Sequence, residues 1–331
     1  MRDFDYSGGS QMKKIGIVGA GIIGASHKKA IVKNTNCCMA AVCDVVVERA
    51  VELAEGTGAR VYADYQEMAR CEELDAVILN LPHFLHKDVA IYFLDRGIAV
   101  LVEKPMAITT EECDEMIAAA KKSGARLAVA HPQRYFNAYR KVKDIIDTGK
   151  LGRLCIVTES RNGLYFSDKR PRWFTDKKMA GGGVAMNFGA HSLDKLFYSI
   201  GASVVSVAAV GNNYLNDADV EGAAQMLVRF SNGVGAAISF SGCYAPSQEE
   251  VVFYFTEGCA KILRRELWVS EKGEPYQKLE LGEQKNVFEA QLEEFVKYLD
   301  GEPSEIVTPE YGRAVIAVVE DALRQIESGD R

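Results

Sequence analysis

The chain has 331 residues, 39 basic against 46 acidic for a net charge of -7, and 48% apolar side chains. That is enough for two domains with sizeable cores, and a mildly acidic chain without a dense basic block argues against nucleic acid as a partner. No run of about 18 uncharged apolar residues reads as a membrane span, and the eight cysteines form neither a CxxC pair nor a zinc-spaced Cys/His cluster.

Those cysteines sit mostly in apolar stretches and read as reduced, buried thiols of a cytoplasmic protein with no metal site. Residues 1–13 mix charge with Ser and Gly and lack an apolar core before a cleavage site, so they read as a flexible leader. From 14 to 130, short β-branched runs alternate with helical segments. The runs are KIGIVGA, MAAVCD, ARVYA, LDAVILNLP, IAVLVEKP and ARLAVAH. Near-continuous apolar strands separated by helices predict a doubly wound α/β domain of Rossmann type, with a parallel sheet covered on both faces.

The first run ends in a GxGxxG formed by Gly19, Gly21 and Gly24 with Ile22 and Ile23 between them, which opens the first helix. Gly19 permits the tight turn, Gly21 lets a pyrophosphate reach the backbone, and Gly24 allows close helix packing. A second strand ends in Asp44, placed to bond an adenosine ribose. Val45, Val46 and Val47 follow it, and no base comes before Arg49 to neutralise a 2'-phosphate, which favours NAD over NADP.

Ligands of such sheets bind beyond the carboxyl ends of the strands. Asn80, Leu81, Pro82, His83 and His86 follow one strand, and Glu103 and Lys104 follow the next, so these are candidate cofactor contacts. For His86, as for His27 on the first helix, packing or capping is the alternative. Pro105 holds Lys104 extended, and in the cleft burial would favour a neutral amine able to hydrogen-bond a substrate oxygen.

The segment TTEECDEMIAAAKKSG carries the caps of a helix ending at Gly124. His131, Gln133 and Arg134 then border the cleft, and the second domain is expected over 131–331. Ser231-Asn232-Gly233, between AQMLVRF and VGAAISF, signals a hairpin. Strand now neighbours strand, so this domain is α+β, with a large mixed or antiparallel sheet. Amphipathic helices over 287–299 and 309–327 would pack on that sheet or back on the first domain. In RNGLYFSDKRPRWF, Tyr165, Arg172 and Trp173, with Arg134, are candidate substrate contacts, while a solvated surface loop is the alternative.

The stretch GGGVAMNFGAH, 181–191, puts a glycine triplet before a helix. Met186, Ala190, Leu193, Phe197 and Ile200 form an apolar stripe, and Asn187, His191, Asp194 and Tyr198 form a polar one. An imidazole of ordinary pKa, about 6.5, can take a hydroxyl proton as hydride leaves.

In this order and spacing GIVGAGIIG, DAVILNLPHFLHKDVAI, VLVEKPMAIT, GKLG and GGGVAMNFGAHSLD resemble the glucose-fructose oxidoreductase, inositol dehydrogenase and rhizopine-catabolism (Gfo/Idh/MocA) family over nearly the whole chain. The resemblance implies nicotinamide-dependent oxidation or reduction of a sugar, polyol or sugar derivative. Lys104 would lie by the substrate, often with its Lys-Pro bond cis, and His191 would be the acid/base. Many relatives carry Asp where Asn187 stands, so the full Lys-Asp-His set is absent here. The resemblance also implies a homodimer or homotetramer joined through the open face of the second sheet. It leaves open redox-assisted glycoside cleavage and a non-enzymatic NAD-sensing regulator.

Overall fold

The computed structural model describes residues 12–167, 170–214, 218–243 and 246–329. All but the last two residues of the expected leader fall outside them, and Lys13 already belongs to the first strand.

All six apolar runs form strands: β1 (Lys13–Val18), β2 (Cys37–Cys43), β3 (Arg60–Tyr62), β4 (Ala76–Leu79), β5 (Ala99–Glu103) and β6 (Leu127–Ala130). They make one parallel sheet in the order β3-β2-β1-β4-β5-β6. The order reverses beside β1, which opens a crevice at its carboxyl end. Helices α1 (Ile22–Lys33), α2 (Val47–Ala54), α3 (Tyr65–Cys71), α4 (His86–Leu94) and α5 (Thr110–Ser123) connect the strands. Helix α5 ends as its sequence predicts: the Thr109 hydroxyl accepts from the Glu112 N–H, and Gly124 closes it in the left-handed region.

The second sheet has eight strands: β7 (Leu154–Asn162), β8 (Val204–Asn212), β9 (Ala223–Phe230), β10 (Gly235–Ser241), β11 (Gln248–Phe255), β12 (Gly258–Leu263), β13 (Glu266–Glu271) and β14 (Gln277–Leu279). Their order is β14-β13-β12-β11-β7-β10-β9-β8, antiparallel except for the central β7/β10 pair. The hairpin turn joins β9 to β10, with Asn232 Oδ1 accepting from Val234 N. Helices α6 (Asn137–Thr148), α7 (Lys177–Ala180), α8 (Val184–Ile200), α9 (Val287–Asp300) and α10 (Pro309–Ser328) complete the chain. One face of the sheet carries α8 and α10. The other is open, with Ile156, Leu227 and Tyr254 exposed on it.

The division at 131 needs one correction. Helix α9 packs on α1, and its Leu292, Phe295 and Val296, with Ile306, join the core of Ile15, Ile17 and Ile31. Val129 pairs with Val307. A parallel sheet must be covered on both faces, and residues 287–307 return to cover part of this one. The cysteines also depart from expectation. All eight are free, but only Cys37, Cys43 and Cys113 are buried, while Cys71, Cys155 and Cys243 are exposed.

Among the described residues no helix is long and apolar enough to cross a membrane, and no group of three or more His, Cys, Asp or Glu side chains could hold a metal ion.

Candidate active site

At the crevice, Gly19 turns at φ +97°, and a Cβ there would stand 2.4 Å from the Asn80 carbonyl oxygen. A Cβ on Gly24 would meet the Gly19 oxygen at 2.5 Å, whereas one on Gly21 would meet nothing within 4 Å. The first and third glycines therefore serve packing, and the second faces open space, as a ligand approaching the backbone requires. No side chain caps α1 and its first turn holds no acid, which leaves the amides at Ile22, Ile23 and Gly24 facing outward with positive character. Asp44 braces this loop: Oδ2 accepts from Ala20 N at 2.7 Å and Oδ1 from Val46 N at 2.8 Å. Each carboxylate oxygen keeps a further lone pair for a ribose hydroxyl. Asn80 Oδ1 is buried without a partner. Uncapped amides, a braced carboxylate and an orphaned amide oxygen fit the phosphates and ribose of a dinucleotide.

Several residues farther along this rim also brace one another. Glu103 is buried, with Oε1 3.0 Å from His27 Nε2 and Oε2 accepting from Lys104 N at 3.2 Å. His86, expected as a cofactor contact, is fully buried, with Nδ1 and Nε2 each 2.9 Å from the carbonyl oxygens of Pro105 and Leu81. It braces the turn after β4 against the turn after β5, the packing alternative. Leu81 and Pro82 form the half-buried turn that it supports. His83 is buried too, its Nδ1 2.8 Å from the Ala180 oxygen and its ring edge-on to Trp173 at 4.7 Å. It ties the segment before α7 across the cleft.

The second half of the site hangs on α8. Its glycine triplet has a steric cause. A Cβ on Gly181 would meet Ile108 at 2.9 Å, one on Gly182 would meet Leu323 at 2.8 Å, and one on Gly183 would meet the Glu221 oxygen at 2.0 Å. The buried Glu221 carboxylate caps the helix, accepting from Gly183 N at 2.9 Å and Ala185 N at 2.7 Å. The expected stripe of Met186, Ala190, Leu193, Phe197 and Ile200 is buried throughout.

On the other stripe, Asn187 Oδ1 accepts from Lys104 Nζ at 2.8 Å, and Nδ2 points to the Tyr165 hydroxyl at 3.5 Å. The Lys104-Pro105 bond is cis. Burial lowers the Lys104 pKa to about 7; the Glu103 carboxylate opposes this, and the Arg161 and Arg170 guanidiniums add to it. His191, one turn beyond Asn187, is pushed well below its ordinary range by burial and then by the charges of Lys104 and Arg161. Its Nδ1 is sealed in without a partner. At neutral pH a half-neutral amine thus stands within electrostatic reach of a neutral imidazole.

Two substrate candidates are corrected. Tyr165 is fully buried and enclosed edge-on by Phe166, Phe174 and Phe188, so its ring offers no stacking face. Only its hydroxyl reaches the site, through Asn187. Arg134 is buried on Asp194, with Nε donating at 3.0 Å, and lies over the Tyr311 ring at 4.5 Å, so it has no free fork. Arg172 and Trp173 line an open pocket of about 560 Å³ with Asp176 and Asp219 at the rim. His131 is buried beside Asp194, and burial lowers its pKa to about 4.

Arg161, Arg170 and Glu221 escape the sequence reading. For Arg161 the signal is parity: it shares the inward side of β7 with the buried Val157 and Glu159. Glu159 and Glu249 both pair with Lys195, a fully buried residue of α8.

Residues 13–131 match the model of the oxidoreductase family with an NAD-binding Rossmann fold, GFO/IDH/MocA, and residues 139–261 match the GFO/IDH/MocA C-terminal domain. The chain is 31% identical over 217 residues to 1-carboxy-3-chloro-3,4-dihydroxycyclohexa-1,5-diene dehydrogenase of Comamonas testosteroni, a match that takes in 65% of this chain and only 54% of that protein. It is 25% identical over 313 residues to the rhizopine catabolism protein MocA of Rhizobium meliloti, with 93% of each covered. The fold is also that of the WlbA dehydrogenase of Bordetella pertussis, crystallised with NADH and UDP-GlcNAcA, at a TM-score of 0.84, 22% identity and 96% coverage of each chain.

Proposed function

The chain belongs to the Gfo/Idh/MocA oxidoreductase family, and on that premise we propose that it is an NAD-dependent dehydrogenase of a sugar, polyol or sugar derivative, with His191 as acid/base and Lys104 steadying the reacting oxygen. The glycine loop 19–24, Asp44 and Asn80 hold the dinucleotide. When bound, NAD would supply a two-electron hydride acceptor for the carbon that bears the substrate hydroxyl.

The chain's own part is to place and deprotonate that hydroxyl. Asn187 takes one hydrogen bond from Lys104 Nζ and so aims the nitrogen, leaving its other sites for the substrate oxygen. His191 is neutral because burial and neighbouring cations disfavour its proton, so its acceptor lone pair is free when the hydroxyl arrives. With Nδ1 enclosed, Nε2 is the atom that receives the hydroxyl proton. Trp173 and Phe174, stacked at 3.7 Å beside His83, help to exclude water from the cleft. In reverse the same groups reduce a ketone.

The observation that carries this reading is the Lys104–Asn187 hydrogen bond with His191 one turn along the same helix. Two of the relatives support an alcohol substrate, being named as dehydrogenases, one of a dihydroxy ring compound and one crystallised with UDP-GlcNAcA. The test is a scan of NAD reduction over polyols, aldoses, glycosides and nucleotide sugars. One class should yield NADH in step with product. Product without NADH would replace the proposal by redox-assisted bond cleavage. The open face bearing Ile156, Leu227 and Tyr254 is our choice for the contact between copies of the chain.

A further inference from the structure

Two guanidiniums stand near Lys104 with no carboxylate among the described residues in contact with either. Arg161, on the inward side of β7, lies over the Phe188 ring at 4.8 Å and reaches Gln133 Oε1 only at 3.5 Å. Arg170, on the segment that crosses the cleft, lies over the Tyr165 ring at 4.1 Å and Phe174 at 4.6 Å. Both are half-buried, and neither forms an ion pair among the described residues. Their charges are felt at Lys104, and that of Arg161 also at His191.

The neighbouring acids are engaged elsewhere. Glu103 is held by His27 and the Lys104 amide. Asp194 is taken by Arg134, and Glu159 and Glu249 lie on Lys195; Glu249 also feels the charge of Arg161 across the strand pair, without an ion-pair contact. Glu221 caps α8.

A guanidinium partly withdrawn from water is costly to leave unpaired, and aromatic faces offset only part of that cost. Its planar fork matches carboxylate and phosphate oxygens two at a time. The cofactor's phosphates belong at the opposite domain, on the glycine loop, whereas Arg161 and Arg170 come from the second domain; Arg170 lies over Tyr165, the partner of Asn187, and Arg161 over Phe188, which packs on Tyr165. We propose that Arg161 and Arg170 form an oxyanion subsite, so that the alcohol oxidised beside Lys104 belongs to an acid: a sugar or polyol bearing a carboxylate or phosphate. The placement of that alcohol rests on the dehydrogenase reading above; the anion subsite itself does not.

The test uses the full chain loaded with NAD and sets three acids, D-gluconate, D-glucuronate and D-glucose 6-phosphate, against two neutral compounds, D-glucose and myo-inositol. Both NADH formation and calorimetric binding are measured. One acid should exceed the neutral compounds by about tenfold or more in kcat/KM or affinity, and which acid it is separates carboxylate from phosphate. Arg161→Gln and Arg170→Gln should each weaken calorimetric binding of that acid by about 10- to 100-fold, with a much smaller effect on the binding of neutral sugars. Arg161→Lys, which keeps the charge without the fork, should recover part of the loss. Intact NAD affinity in each variant confirms folding.

Binding of an acid without turnover would uphold the subsite and remove the dehydrogenase reading. Turnover of neutral sugars alone would uphold that reading and overturn the subsite. Failure of every acid to bind, or equal weakening of acids and neutral sugars by the variants, would also overturn it.

Discussion

Lys104 Nζ donates to Asn187 Oδ1 at 2.8 Å, which joins the end of β5 to the first turn of α8 across the cleft between the domains. The partner is an amide, so it orients the amine without adding a negative charge to hold its proton. Burial therefore prevails, and the lysine titrates at about 7.

Asn187→Asp should reverse that balance. A carboxylate at hydrogen-bond distance favours the ammonium, and an opposite charge this close moves a pKa by roughly 1–3 units. The ionisation near neutrality in the pH profile of kcat/KM should move to the alkaline side, and Lys104→Met should abolish it. A profile unchanged in Asn187→Asp would assign that ionisation to another group.

Four imidazoles, those of His83, His86, His131 and His191, are held below their ordinary range, in each case chiefly by burial. Below about pH 6.5 the unfolded chain takes up protons that the folded chain refuses, so stability falls as pH drops through that value. The slope approaches about 1.4 kcal/mol per pH unit for each such group. Urea unfolding at about pH 7, 6 and 5 should show steep loss, with a shallower slope in His131→Asn. Equal stability across that range would contradict the assignment.

Gly183→Ala would drive a Cβ to 2.0 Å from the Glu221 carbonyl oxygen, against backbone that cannot swing aside. The start of α8 must shift, and with it Asn187 and His191. We expect destabilisation of about 3 kcal/mol by urea titration and loss of turnover. Wild-type stability would mean that the triplet is not sterically required.

Asp44 stands against the glycine loop with both oxygens braced by backbone amides, and in the proposed function it takes the adenosine ribose. A 2'-phosphate brought against this carboxylate meets a like charge. Fluorescence titration should give NAD an advantage over NADP of about 100-fold, and Asp44→Ser should shrink that ratio by about tenfold. A ratio unmoved by the substitution would place the discrimination elsewhere.

The parallel sheet was legible because each buried strand is a near-unbroken apolar run, and the β9/β10 turn because Asn-Gly leaves few alternatives. The two stripes of α8 followed from helical spacing alone. What α9 would cover was not legible, since amphipathicity marks a face and says nothing of its partner; the structure sets that face on α1. Tyr165 looked accessible because it stands in a stretch rich in charge, and Arg134 because it follows the carboxyl end of a strand. Yet one is enclosed by three phenylalanine rings and the other is spent on Asp194. Arg161 was concealed in plain alternation, a charge on the inward side of a strand.

The central claim is that the His191 imidazole and the Lys104 amine act on one hydroxyl. Its most direct test is the rate of NADH formation by His191→Ala and Lys104→Met with the best substrate from the scan, alongside NAD affinity by fluorescence. Turnover should drop by about 100-fold or more in each variant while NAD binds as in the wild type. Undiminished turnover in either variant would contradict the account.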